Sequence, residues 1–336
     1  MCIRDRIWDV LRAFASFGFC KAHAAAFALP TYQSAWLKTH YPAAFLAGVL
    51  THDPGMYPKR LIVDEARQMG ITIAPIDVNA SDAVYRVEDH GNAIRIALST
   101  VSGISDGEVQ SIIAGRPYID LNDFVRRSGC SAPVTESLIL TGGFDSLHAD
   151  VNRRDLLLHF SDLQKSPSAA VSGAQMNLGF EPPALISSGL PAMTASESVK
   201  YEIDRLGIDM SRHMIEFYGE FLNAIGAVRS SDLLKQRSQS SVLVAGIKVA
   251  MQTPPVRSGK RVIFLTLDDG YGCSDSTFFT DVQGEYANVL YSTSLLLVRG
   301  VTRRTGARGI SIRATGAWDL RAAYESWSAK QSTLAI

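Results

Sequence analysis

From about residue 237 onward the chain changes its period, and that change limits the folds open to it. The runs SVLVAGIKVAMQ, KRVIFLTLDDG, DSTFFT, SLLLVRGVTRR and GISIRATGAWDL follow one another with glycines and charged turns between them. Several alternate apolar and polar side chains, the period of a strand with one buried face. Upstream the apolar residues recur at helical spacing, as in Ile7, Leu11 and Phe14, or in Leu61, Ile62, Ala66 and Met69 before the helix stop Gly70. The expected fold is multidomain: a mainly α-helical N-terminal half followed by a small β-barrel. Five strands at this spacing fit an OB-fold, a Greek-key barrel with an open face.

A length of 336 residues and a hydrophobic content of 46% can fill two or three cores. No apolar run is long enough for a membrane span, and no secretory signal is visible. Cys2, Cys20, Cys130 and Cys273 lack paired spacing, which argues against a disulfide framework or a zinc site and suits a reducing cytoplasm. His40 and His52 lack a third ligand, so no metal site is expected. Phosphate loops and nucleophile elbows are also missing, which leaves a kinase or hydrolase without support. Net charge is zero, yet residues 1–60 hold seven Lys and Arg against three acids, and 240–320 nine against six. The stretch 61–239 holds fifteen against twenty-three. Such segregation allows local phosphate-binding surfaces on a neutral chain, though solvated helix faces would give the same pattern.

Residues 18–42, GFCKAHAAAFALPTYQSAWLKTHYP, place a lysine and a histidine ahead of a small-residue helical run. Pro30 should kink that helix or restart it, giving a bent or broken pair. Phe27, Tyr32, Trp36 and Tyr41 recur at four or five residues, a spacing that usually marks a core face. Lys21 and His23 at a helix start, where backbone amides are unpaired, could bind phosphate.

Between 98 and 164 short helices are joined by glycine turns. In LSTVSGISDGEVQSIIAGR the turn Gly103-Ile104-Ser105 precedes a helix that Ser105 or Asp106 could cap. This reads as a helix-hairpin-helix, whose turn presents amides to a DNA phosphate without reading sequence. Ser105 replaces the usual second glycine, so a plain helical hairpin stays open. Gly142 and Gly143 in LILTGGFDSL form a second such turn. Residues 165–195 are rich in Pro, Ser, Ala and Gly and read as a linker, and 196–236 as a helical connector.

Residues Gly18, Phe19, Lys21, His23, Ala25 and Ala26, followed by Tyr32, Gln33, Trp36, Leu37, Lys38, His40, Tyr41 and Pro42, resemble the fingers segment of the bacterial C-family DNA polymerases, the DNA polymerase III alpha subunit and its relatives. Cys20 and the continuation THDPGMYPKRLIVDEARQMGITIAPIDVNAS look like the error-prone, damage-associated branch. VAGIKVAMQTPP, FLTLDDG and LLLVRG are similar to that family's C-terminal OB domain. The resemblance covers about residues 7 to 320 and is weakest in the middle. It implies a C-terminal fragment: 1–97 as part of the fingers, with 1–6 foreign to the family, 98–164 as the hairpin region, 165–195 as linker, 196–236 as connector, 237–322 as OB-fold and 323–336 as tail.

The activity implied is template-directed transfer of deoxynucleotides with Mg2+ held by palm carboxylates. Those ligands would lie upstream of residue 1, since Asp53 and Asp64 form no palm motif, so the fragment alone is expected to be inactive. Lys21 and His23 would approach the incoming deoxynucleoside triphosphate. DNA, primed or single-stranded, would meet the hairpin turns and the barrel. On the barrel Lys260, Arg261, Arg299, Arg303 and Arg304 could track phosphates, and Phe264 could stack a base. Phe278 and Phe279 are adjacent on a strand, so at most one faces outward. QMNLGF within the linker resembles a sliding-clamp peptide through Gln175, Leu178 and Phe180. A stand-alone, non-enzymatic DNA-binding protein made of hairpin and barrel is the alternative reading.

Overall fold

The computed structural model describes residues 3–15, 21–53, 55, 57–165, 185, 187–254, 261–304, 306–307 and 309–334. Lys260 and the peptide Gln175, Leu178 and Phe180 lie outside the described residues.

Four helices lead the chain: α1 (Ile3–Ala15), α2 (Lys21–His40), α3 (Pro42–His52) and α4 (Lys59–Gln68). Helix α2 runs through Pro30 without interruption. The expected break comes instead at Tyr41, where Pro42 opens α3 at a position whose missing amide proton is no loss. Nor does α2 supply a core face. Phe27, Tyr32, Trp36 and Tyr41 are all exposed, because the described neighbours that α2 meets cover none of its side chains completely. A Lys38–Glu65 ion pair at 2.7 Å links it to α4.

A small sheet follows, with β1 (Thr72–Ala74) parallel to β3 (Ala93–Arg95) and β2 (Arg86–Glu88) antiparallel to β3. Then come α5 (Asp106–Ala114), α6 (Leu121–Ser128), α7 (Ala132–Leu140), α8 (Arg153–Lys165) and α9 (Ala195–Leu206). One core joins these pieces: Leu50 of α3, Val63 of α4, Ile94 of β3, Ile112, Phe124, Leu138 and Leu156 of the hairpin helices, and Leu206, Ile208 and Met210 at and beyond the end of α9. Complete burial of each such aliphatic side chain contributes about 1.5–3 kcal/mol. The division expected at residue 97 therefore cuts through a single packed body.

All five strand-like runs form strands: β4 (Ser241–Gln252), β5 (Ile263–Asp268), β6 (Cys273–Phe278), β7 (Leu295–Arg304) and β8 (Ile310–Asp319). They close as β4-β5-β6-β8-β7 with β7 returning to β4, and only the β6–β8 pair is parallel. This is the OB-fold order. Val244, Leu265, Leu267, Phe278, Leu296, Val298 and Ile312 fill the interior. At Gly300, opposite the bulge that Thr315 makes in β8, a Cβ would lie 2.4 Å from the Arg313 carbonyl oxygen, so the strand crossing admits only glycine.

Helix α11 (Thr280–Ser292), not expected from the sequence, bridges β6 and β7 and drops Leu290 into the barrel core. The expected tail is also corrected. Residues after Asp319 form α12 (Leu320–Leu334), whose Tyr324 and Trp327 join Phe221 of α10 (Gly219–Ala224) on the outer face of β4 and β7. Ring centroids of Phe221 and Trp327 are 5.5 Å apart. Aromatic area buried against an otherwise apolar strand face is what holds this helix in place.

Candidate nucleic-acid interface

The two glycine turns of the body have opposite surroundings. Gly103 is exposed with φ of +81°, and Ser105 caps α5 in a full capping box with Glu108. Asp106 is the first helical residue rather than the cap. The Glu108 carboxylate accepts from the Ser105 amide at 2.9 Å and from the Ser131 amide and hydroxyl at 2.9 and 2.7 Å. Those donors, Ser131 first and Ser105 after it, lower its pKa to about 2. One acidic side chain thus fastens the start of α5 to the start of α7. It also occupies the Ser105 amide, and the Ile104 amide donates to Val101 O at 3.2 Å, leaving Gly103 and the first turn of α5 as the surface a phosphate could approach.

Gly142 and Gly143 are buried. Their amides donate to Ile139 O at 3.2 Å and Leu138 O at 2.7 Å, the pattern that closes a helix C-terminus. Arg153 packs over them, donating to Asp145 at 2.6 Å and to Leu140 O at 3.0 Å. This second turn is a helix stop and offers no amide to DNA, which corrects the sequence expectation.

On the barrel, a groove of about 410 Å³ lies between β6, β7, β8 and the start of α11. Thr277, Phe279, Arg303, Arg313 and Thr315 line it. Strand register explains the grouping, since Thr277 pairs with Phe264 on one side and with Arg313 on the other. Phe264 is 44% exposed beside this row, Phe279 is exposed and Phe278 is fully buried, so the adjacent pair divides as alternation requires. The Arg313 guanidinium lies 5.4 Å from the Phe279 ring centre and 3.3 Å from Asp281. A cation over an aromatic ring beside exposed Arg303 can hold a base and its phosphate together.

The remaining arginines separate into two kinds. Arg299 is exposed on β7 and lies 5.3 Å from the Trp318 ring centre, outside the groove. Arg304 donates to the carbonyls of Leu234 and Gln236, so it fastens the turn before the barrel rather than tracking phosphate. Arg261 is exposed two residues before β5, and its carbonyl accepts from Gln283 of α11 at 2.8 Å. Arg313 and Trp318 were not anticipated. Alternation in GISIRATGAWDL marks Arg313 as outward, but that signal becomes useful only once β8 is known to lie beside β6.

Lys21 and His23 sit exposed at the first turn of α2, with the His23 ring edge-on to Phe27 at 4.6 Å. They do not come together with the barrel groove in one lining.

A further cluster, unanticipated, lies where the body meets the barrel. Asp64 of α4, Asp209 and His213 beyond α9, and Asp268 at the end of β5 are all buried. His213 Nε2 faces Asp268 Oδ2 at 3.3 Å and Asp64 Oδ2 at 3.7 Å, while its Nδ1 accepts the Ile215 amide at 3.2 Å. Burial raises the Asp64 pKa to about 7, outweighing the attraction of His213. Gly270, at φ of +82°, packs on the imidazole so closely that a Cβ would fall 2.8 Å from His213 Cγ.

A helical hairpin body docked on an OB barrel defines a class of protein built from two modules that commonly hold nucleic-acid backbones. Residues 70–156 match the helix-hairpin-helix motif family. Over 92% of its length the chain is 31% identical to an error-prone DNA polymerase of Symbiobacterium thermophilum, of which it covers 33%. Over 96% it is 29% identical to DNA polymerase III subunit alpha of Vibrio cholerae, of which it covers 29%. The chain is therefore a homologue of the bacterial error-prone and replicative DNA polymerases of this kind, and it spans about a third of the length of the relatives it matches. Among solved structures, asparaginyl-tRNA synthetase of Pyrococcus horikoshii overlaps 28% of the chain and 23% of its own at 17% identity and a TM-score of 0.24, too little to bear on function.

Proposed function

We propose that this chain supplies the DNA-holding part of a DNA-directed DNA polymerase that works in damage tolerance and repair synthesis. The observation that carries the reading is the barrel groove, where Arg303, Arg313 and Phe279 combine phosphate-binding charge with a stacking ring on a chain whose relatives are polymerases. Single-stranded template would lie along β6, β8 and β7, with Phe264 at its margin. The Gly103 turn would touch duplex phosphates, and Lys21 and His23 on α2 would meet the incoming deoxynucleoside triphosphate by charge and hydrogen-bond donation. Gln175, Leu178 and Phe180 remain the proposed sliding-clamp peptide.

Magnesium chemistry of the polymerase is not assigned to these residues. Among the described residues the one group able to hold an ion is Asp64, Asp209 and His213, which is buried and cannot present an ion to a primer terminus. Primer extension by the chain alone is accordingly expected to be nil, and measurable extension would overturn that part of the reading. Fluorescence anisotropy with labelled oligo-dT tests the rest: tight, salt-sensitive binding that Arg303→Glu with Arg313→Glu weakens at least tenfold is expected. Binding that ignores both substitutions removes the groove from the interface. The relatives include both error-prone and replicative enzymes at similar identity, so misincorporation frequency in the full enzyme decides the branch.

A further inference from the structure

The junction cluster has a feature that the hydrogen bonds around it do not account for. Asp64 Oδ2 and both carboxylate oxygens of Asp209 are buried with no hydrogen-bond partner from another described residue. Asp209 is 0% exposed and Asp64 1%. Buried carboxylate oxygens are normally taken by a donor, an ordered water, a proton or a cation. The nearby guanidiniums do not fill the role. Arg67 donates Nη1 to Asp64 Oδ1 at 2.6 Å and turns Nη2 to the carbonyls of Asp209 and Met210. Arg60 donates to Lys248 O at 3.3 Å. Both leave the unpartnered oxygens uncovered.

The unpartnered atoms converge with an imidazole nitrogen. Ligand atoms of Asp64, Asp209 and His213 all lie within 4.8 Å of one another. Nε2 of His213 stands 3.7 Å from Asp64 Oδ2 and 3.3 Å from Asp268 Oδ2. Around a tetrahedral ion with bonds near ~2.0–2.1 Å, neighbouring ligand atoms are spaced by about 3.3–3.5 Å. An arrangement of two or three carboxylates and one imidazole suits a first-row divalent ion better than calcium or magnesium, which prefer oxygen alone.

We propose that Asp64, Asp209 and His213, with Asp268 beside them, form a buried site for one divalent transition-metal ion of the zinc or manganese type, clamping the helical body to the barrel. The inference is independent of the polymerase reading. Coordination through Nε2 displaces the proton on that nitrogen, and a neutral ring then carries its proton on Nδ1. Nδ1 now accepts the Ile215 amide, so entry of the ion must turn that amide away, and the turn Met214–Tyr218 moves with it.

The test uses the untagged chain, stripped with chelator and dialysed separately against Zn2+, Mn2+ and Ca2+, with bound metal measured by mass spectrometry. One Zn2+ or Mn2+ per chain, no stoichiometric Ca2+, and at least tenfold weaker binding in the near-isosteric Asp209→Asn and in His213→Gln are expected. Absence of stoichiometric metal, or equal affinity in both variants, overturns the site and leaves protons as what the carboxylates hold. Should the variants fail to fold, the wild-type chain still decides. Loading with Co2+ should give a visible absorption band of a four-coordinate N/O site, and Zn2+ should shift the Ile215 amide resonance. An unchanged Ile215 resonance on loading sinks the proposal.

Discussion

Helix α2 and the barrel carry the two best-marked sequence signals, and they end in opposite physical states. The barrel's alternating runs close on themselves, so each inward side chain has neighbours on every side and Phe278 is wholly buried. The aromatics of α2, although spaced as a core face would be, remain exposed on a helix with no buried residue. Periodicity reports which side chains share a face. It does not report whether anything covers that face.

The sharpest break of this comparison is in stability. Phe278→Ala should cost about 3–5 kcal/mol, while Trp36→Ala should stay within about 0.5 kcal/mol, because only the first opens a cavity. Urea unfolding of each variant measures this, and equal losses would mean α2 is packed in solution. In DNA binding, Arg303→Glu with Arg313→Glu should flatten the salt dependence by about 0.7 for each phosphate that is no longer neutralised. Lys21→Ala should leave single-strand binding unchanged and, in a full-length enzyme, raise the apparent nucleotide Michaelis constant.

Within β7 the contrast narrows further. Arg304→Ala should destabilise by about 1–2 kcal/mol through loss of its bonds to the Leu234 and Gln236 carbonyls, with the salt slope intact, whereas Arg303→Ala should do the reverse. The smallest effect concerns pH. Glu108 has its pKa lowered from 4.5 to about 2, so its contribution is present above about pH 4.5 and is lost as the pH falls toward 2. Melting temperatures of Glu108→Gln and wild type should therefore converge across that window, and parallel curves would remove Glu108 from the link between α5 and α7.

Much of this fold was legible. The five strands, a cap at Ser105 or Asp106 and the opposite facing of Phe278 and Phe279 all follow from spacing over a few residues, while the structure selects Ser105 as the cap and Phe278 as the inward ring. Illegible features were those where like signals meet unlike neighbours. Gly103 and Gly142 both announce a turn, but the second is closed by Arg153, which arrives from α8. Arg303 and Arg304 are adjacent, yet one lines a groove and the other caps carbonyls near residue 235. Helix α11 leaves little trace in the sequence because its residues are mixed in polarity and Leu290 is the one it buries, in a core that exists only after the barrel closes.

The sequence by itself determined the order of elements, the closed barrel's five strands, the capping of α5 and the kinship with bacterial DNA polymerases, since all of these reside in residues near one another or in strings that can be compared directly. Only the tertiary structure decided that residues 42–165 and 195–210 share one core, and that Asp64, Asp209, His213 and Asp268 meet at the junction. Those four belong to segments up to two hundred residues apart, and no local period encodes a contact between them. Their burial, the raised pKa of Asp64 and the unpartnered oxygens arise from the docking of body on barrel, which excludes water from side chains that each segment alone would leave wet.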